Sequence, residues 1–253
     1  GPAGRRAAAR RLHLLTHGSR RSPVNLRAIV LAAGRGERMR PLTDATPKPL
    51  LTVGGKSLLA WQLERLAAAG IRDVVVNHAH LGEQLEAAVG DGARWGVRVA
   101  WSREGTALET AGGIARALPM LGPGPFLAVS ADIHTDFDYA SLLPAAERIA
   151  GDPAACAAHF VLVDNPPWHA RGDMGLADGR VTLAGERLLT YGNISLFHPS
   201  LFAGVAPGEH LRLFPWGFRF IEAGRVTGEH FRGTWENVGT PAQLAELDRR
   251  LST

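Results

Sequence analysis

Cysteine, lysine and long apolar runs are all scarce in this chain of 253 residues. A single cysteine, Cys156, excludes an intramolecular disulfide and a cysteine-cage metal site. It lies among small residues in PAACAAHF and reads as a buried small side chain. No run approaches the roughly 20 apolar residues that a membrane helix needs. The chain therefore reads as soluble, with the cytoplasm as its expected place and no membrane partner. Lysine occurs only as Lys48 and Lys56, although Lys and Arg together number 28. Arginine and lysine differ in shape and hydration, so a lysine kept against that background suggests a need for a compact ammonium.

Acid is missing from residues 1–25, which hold six arginines. The whole chain is +4 and this tail +6, so the remainder is −2. A slightly acidic body argues against nucleic acid as a partner. The tail is Arg-rich and acid-free in the manner of a transit peptide. Its initial GP, however, resembles a protease scar, and LRAIVLAAG reads as a natural beginning. Residues 1–25 are thus expected to be a disordered tail or an upstream or tag-derived segment, and 26–253 a single domain.

What is present alternates. Short apolar runs at 27–33, 73–79, 96–102, 125–132 and 156–164 read as buried strands. Between them, 57–70, 81–90, 108–121 and 138–150 read as helices, the first stopped by a glycine. Such alternation predicts an α/β fold with a mostly parallel sheet and helices on both faces. The later part changes character. Asp178-Gly179 marks a hairpin, 188–202 a strand leading into a loop, 213–224 a helix and 225–231 a strand. A last helix over 240–251 has Thr240 as N-cap and Pro241 in its first position. The expected layout is an NTP-binding half (26–135) with a smaller α+β acceptor half (136–253) built onto it.

The stretch LAAGRGERMRPLTDATPKPL (31–50) carries the chemistry. A strand running into a glycine turn presents backbone N–H groups to an anion, and Gly34 and Gly36 let the chain approach phosphates. Met39 stands where a dinucleotide fingerprint needs its third glycine, and GGKS at 54–57 lacks the first glycine of a phosphate loop. Lys56 is accordingly read as a solvated turn residue. Arg35, Arg38, Arg40 and Lys48 crowd one turn, where a triphosphate would relieve their repulsion. Pro47 and Pro49 hold Lys48 extended, as a transfer at phosphorus requires of a positioned cation. Asp132 ends an apolar strand at the carboxyl edge of the sheet, where open α/β folds bind ligands. There it suits Mg²⁺, with phosphate and water completing the shell. His78 and His80 lack a third ligand nearby and read as structural or sugar-facing.

The series AIVLAAGRGERMRPLTDATPKPL, EGTALETAGGI, SAD and WENVGT resembles the sugar-1-phosphate nucleotidyltransferases, in order, over 27–250. More narrowly, VVNHAHLGEQLEAAVGDG, LVDNPPWHARGD and GEHFRGTWENVGT resemble the bacterial N-acetylmuramate 1-phosphate uridylyltransferases. The resemblance implies a Rossmann-like, GT-A-like fold. It also implies Mg²⁺-dependent transfer of a uridylyl group from UTP to a sugar 1-phosphate, releasing pyrophosphate, in cell-wall recycling. It puts Gly34, Arg38 and Lys48 on the triphosphate. Ala32, Gly34, Glu104, Thr110 and Gly112 would face the base, although a carboxylate at Glu104 suits guanine donors as well as uracil N3–H. Asn237 falls where the family carries a second metal-binding aspartate. Asp173 and Asn193 lie in acceptor segments, and Arg171 or Arg219 would meet a lactyl carboxylate. Transfer of guanylyl or thymidylyl groups to mannose or glucose 1-phosphate remains an alternative, as does a non-catalytic nucleotide-sugar-binding regulator.

Overall fold

A computed structural model describes residues 25–252. The proposed tail, apart from Asn25, lies outside the described residues.

The first half runs β1 (Arg27–Leu31), α1 (Leu42–Ala45), β2 (Thr52–Val53), β3 (Lys56–Ser57), α2 (Leu58–Ala68), β4 (Asp73–His78), α3 (Gly82–Val89), β5 (Arg98–Arg103), α4 (Glu109–Leu121), β6 (Phe126–Ser130) and β7 (Ile133–Thr135). The second runs α5 (Leu143–Gly151), β8 (Ala158–Val163), β9 (Gly175–Ala177), β10 (Arg180–Thr182), β11 (Thr190–Phe197), α6 (Phe218–Glu222), β12 (Val226–Phe231), β13 (Trp235–Asn237) and α7 (Pro241–Leu251).

Nine strands form one sheet in the order β5-β4-β1-β6-β11-β8-β12-β10-β9, so both halves share it. β5, β4, β1 and β6 pair in parallel, as do β8 and β12. β11 runs antiparallel to both β6 and β8. The carboxyl ends of β1, β4, β5 and β6 therefore share one edge.

Alternation along β1 shows how the sheet is covered. Ala28 and Val30 belong to one core cluster with Leu59, Leu63 and Leu66 of α2 and Ile149 of α5. Ile29 faces the other way, toward Ile114, Ala117 and Leu121 of α4. Each such leucine or isoleucine, fully buried, contributes about 1.5–3 kcal/mol. Helix ends follow their local chemistry. Ser57 accepts from the Ala60 N–H at the start of α2, and Thr240 from the Gln243 N–H at the start of α7. Asp178 and Gly179 both take positive φ, as the tight turn between β9 and β10 demands.

Three expectations are corrected. The helix expected over 213–224 is confined to Phe218–Glu222; Pro215 lacks the N–H a helix needs and holds Phe214 out of helical geometry. Cys156 is half-buried rather than buried, with its sulfur 3.5 Å from Thr227 Oγ1. Lys56 is partly exposed as expected, but it is paired with Glu64 at 2.6 Å and lies over the Trp61 ring.

Candidate active site

A cleft of about 800 Å³ opens where β1, β4 and β6 end. Its near wall is the loop after β1. Gly36 has φ 63, and a Cβ there would stand 3.0 Å from Thr43 Cγ2 and 3.1 Å from Lys48 Cβ. This glycine lets the Lys48 stem pass beneath the loop, and the Thr43 hydroxyl donates to the Gly36 carbonyl at 2.8 Å. Gly34 is different, because a Cβ there would meet no protein atom within 4 Å. No packing contact in the protein requires a glycine at this place, which opens onto the cleft.

The four crowded cations separate. Arg35, Arg38 and Lys48 line the cleft, whereas Arg40 turns to Asp44 at 3.2 Å. Arg38 has no acidic partner among the described residues, and its guanidinium lies beside Gly239. Lys48 is 9% exposed and reaches across the floor to Asp132, Nζ to Oδ2 2.5 Å. The Asp132 backbone is pinned from the residue after β13, since the Val238 N–H donates to its carbonyl. Asn237, paired in register with Ile133, stands next to it. The Asn237 Oδ1 is buried and without a hydrogen-bond partner. Its neighbour Glu236 is engaged by Arg250 of α7. Among the described residues, no group of three or more His, Cys, Asp or Glu side chains gathers to hold a metal ion.

Beneath the other end of the cleft runs a buried polar chain. The Ala32 N–H donates to Asn77 Oδ1 at 2.8 Å, and Asn77 Nδ2 donates to Glu104 Oε1 at 2.6 Å. Glu104 Oε2 accepts from the Leu108 N–H at 2.8 Å. Burial pushes the Glu104 carboxyl above its ordinary range. The structure thus puts Glu104 under the cleft floor, both oxygens committed to the protein. Thr110 lines the cleft, but Gly112 does not. The Leu211 carbonyl accepts from Ala111 N–H and Gly112 N–H, satisfying two donors of the first turn of α4. A Cβ on Gly112 would stand 2.1 Å from the Glu209 carbonyl oxygen.

A second cavity of about 210 Å³ adjoins the first, sharing Leu31, Glu109, Thr110 and Ser130 with it. Asn193 lines it from a bulge in β11, at φ 55. Asp173 is spent on structure, accepting from the Tyr191 N–H and bonding His169. Arg171 and Arg219 line neither cavity, and Arg219 lies over the Trp216 and Phe220 rings. The cation that does line the second cavity is Arg212, 3.6 Å from Glu109. Nothing in the surrounding LRLF marks Arg212 out. Its place depends on the docking of 209–211 onto α4, a contact across about a hundred residues of chain.

No helix among the described residues is long and apolar enough to cross a membrane. The family model described as nucleotidyl transferase matches residues 27–172. An N-acetylmuramate alpha-1-phosphate uridylyltransferase from Neisseria meningitidis is 45% identical over 225 residues, covering 87% of this chain and 96% of its own. The protein of the same name from Caulobacter vibrioides is 36% identical, covering 89% and 96%. A solved Bacillus anthracis chain superposes with a TM-score of 0.76 over 90% of this chain and 95% of its own; at 19% identity this shows likeness of fold. This chain belongs to the nucleotidyl transferase family, among its sugar-1-phosphate members.

Proposed function

We propose that this protein transfers the uridylyl group of UTP to an amino-sugar 1-phosphate, N-acetylmuramate 1-phosphate being the acceptor favoured by the two relatives that match nearly end to end. The observation that carries the reading is the Lys48–Asp132 pair in the same cleft as Gly34, a glycine with nothing over it. An oxygen of the sugar phosphate attacks the α-phosphorus of UTP. The bond from that phosphorus to the bridging oxygen breaks, and pyrophosphate leaves with the electron pair. The nucleophile is already an anion, so no general base is required. Lys48 neutralises charge on the α-phosphate, and Arg38 holds the β- and γ-phosphates.

The donor set fits a divalent cation with oxygen ligands. Asp132 supplies a carboxylate, and the unpartnered Asn237 Oδ1 beside it supplies a neutral oxygen, leaving most of an octahedron to phosphate and water. Mg²⁺ bound there would neutralise phosphate charge. The acceptor takes the side of the second cavity, where Arg212 rather than Arg171 or Arg219 is the nearby cation. Residues 26–253 act as one domain in this reading, working in the cytoplasm, where UTP and a recycled cell-wall sugar phosphate meet.

The test is pyrophosphate release from UTP, GTP and dTTP, each with a panel of sugar 1-phosphates. Turnover restricted to UTP and N-acetylmuramate 1-phosphate is expected. Preference for GTP with mannose 1-phosphate, or UTP binding without any turnover, would replace the proposal.

A further inference from the structure

One amide is buried in the apolar face of α2. That helix turns Leu59, Leu63 and Leu66 inward, and Gln62 lies on the same face, fully out of solvent. An amide in such company is costly unless its polar groups are paired. Gln62 Nε2 donates to the Ile133 carbonyl at 2.6 Å, and Gln62 Oε1 accepts from the Tyr139 hydroxyl at 2.7 Å. A backbone carbonyl can only accept, so the amide nitrogen must face Ile133, which leaves the oxygen for Tyr139. Burial raises the Tyr139 hydroxyl above its ordinary range and keeps it a donor.

The carbonyl that Gln62 meets belongs to the residue after Asp132. In the two-stranded ribbon of β7 and β13, backbone bonds join Asp132 with Val238 and Asp136 with Thr234. Ile133 stands opposite Asn237 in the intervening pair without such bonds, so its carbonyl points away from β13. Among the described residues no further strand joins that edge. Gln62 supplies the donor that a strand would have given. The carbonyls of Asp132 and Ile133, consecutive in the chain, are thus held from opposite sides, one by Val238 and the other by Gln62. Gln62 itself lines neither cavity, so it can act on the site only through this backbone.

We infer that Gln62 is a positioning residue: its amide, oriented by the Tyr139 hydroxyl, fixes the backbone after Asp132 and thereby holds the Asp132 carboxylate against Lys48 and beside Asn237. The inference rests on the proposed uridylyl transfer, in which Asp132 and Asn237 hold the divalent cation. A group placed behind a metal ligand in this way is commonly worth about 10–100-fold in metal affinity or activity.

The experiment measures Mn²⁺ binding to the full chain with UTP and no acceptor, by electron paramagnetic resonance, beside melting temperature and Mg²⁺-supported kinetics. Gln62→Met nearly keeps the volume and removes both hydrogen bonds. It is expected to weaken Mn²⁺ binding and lower kcat, each about tenfold, with KM for the sugar phosphate unchanged. Gln62→Glu, held neutral by its burial, carries one donor and one acceptor and restores most of both. Tyr139→Phe removes only the hydroxyl and moves both in the same direction by less. Leu66→Val, on the same face of α2, lowers the melting temperature and leaves Mn²⁺ binding as it was. Gln62→Met that binds Mn²⁺ as the original chain does, or Leu66→Val that reproduces its losses, overturns the inference. Should Gln62→Met fail to fold, Tyr139→Phe decides, and unchanged Mn²⁺ binding there overturns the inference. An unmodified chain that binds Mn²⁺ yet turns over no UTP overturns the proposed function instead.

Discussion

Lys48 Nζ and Asp132 Oδ2 stand 2.5 Å apart, although 84 residues separate them in the chain. One comes from a proline-flanked turn after β1, the other from the residue-pair that closes β6. Each holds the other in place at the cleft, where the proposed reaction puts the phosphate charge. Replacing Lys48 with Ala is expected to lower kcat by about 10²–10³-fold, the scale of one lost charge-stabilising donor. Lys48→Arg restores little, because the compact ammonium that meets Asp132 at 2.5 Å would be replaced by a larger planar fork. Pyrophosphate-release kinetics check both, and wild-type turnover in Lys48→Ala would remove Lys48 from the mechanism.

Asn237 should show itself in the metal requirement. Asn237→Ala removes the unpartnered oxygen beside Asp132 and is expected to raise the Mg²⁺ concentration needed for half-maximal rate. Asn237→Asp adds a charge and lowers it. A Mg²⁺ titration that is the same for all three proteins would exclude Asn237 as a ligand.

Two glycines separate binding from packing. Gly34→Ala places a methyl in open space, so the melting temperature should hold while KM for UTP rises about tenfold. Gly113→Ala places its methyl 2.5 Å from Glu104 Oε1 and 2.7 Å from Asn77 Nδ2. It is expected to destabilise the fold by about 1–3 kcal/mol through overpacking. Thermal melts beside UTP kinetics distinguish the two, and a melting temperature lowered by Gly34→Ala would contradict the open cleft.

Glu86 makes stability depend on acid. The hydrogen bond from Arg103, helped by His78, lowers its carboxyl from the ordinary 4.5 to about 2. A carboxyl depressed in the folded state contributes stability in full above 4.5, and that contribution fades as pH falls toward 2. Glu86→Gln should therefore melt about 2–4 °C lower at neutral pH, as a change near 1 kcal/mol does in a chain of this size. The two melting curves should converge as pH falls toward 2, and a gap that widens in acid would refute the sign.

Local chemistry made much of the fold legible. Ser57 and Thr240 announce their helices, Asp178-Gly179 its hairpin, and the apolar runs their strands. That Lys48 and Asp132 belong to the cleft was legible for a related reason: prolines on either side of a rare lysine, and an acid ending a buried strand, are local signals. Long-range contacts were not. The glycines of LETAGGI look like a ligand-facing turn, yet Gly112 exists to admit the Glu209 carbonyl, and Gly113 to admit Glu104 and Asn77. Arg212 and Arg219 are equally anonymous in sequence; only docking sends one to a cavity and the other onto aromatic rings. His80 sits two residues after His78, in the turn beyond β4, and it is His78 that is buried, packed against Gly82.

The Leu211 carbonyl closing the first turn of α4 has a bearing on how such enzymes acquire new sugars. The segment that leads to Arg212, on the side proposed for the acceptor, also holds down the helix on which Thr110 is mounted. If that side takes the acceptor as proposed, a transplanted acceptor region has to bring its own 208–212 segment, or the graft will loosen the first turn of α4.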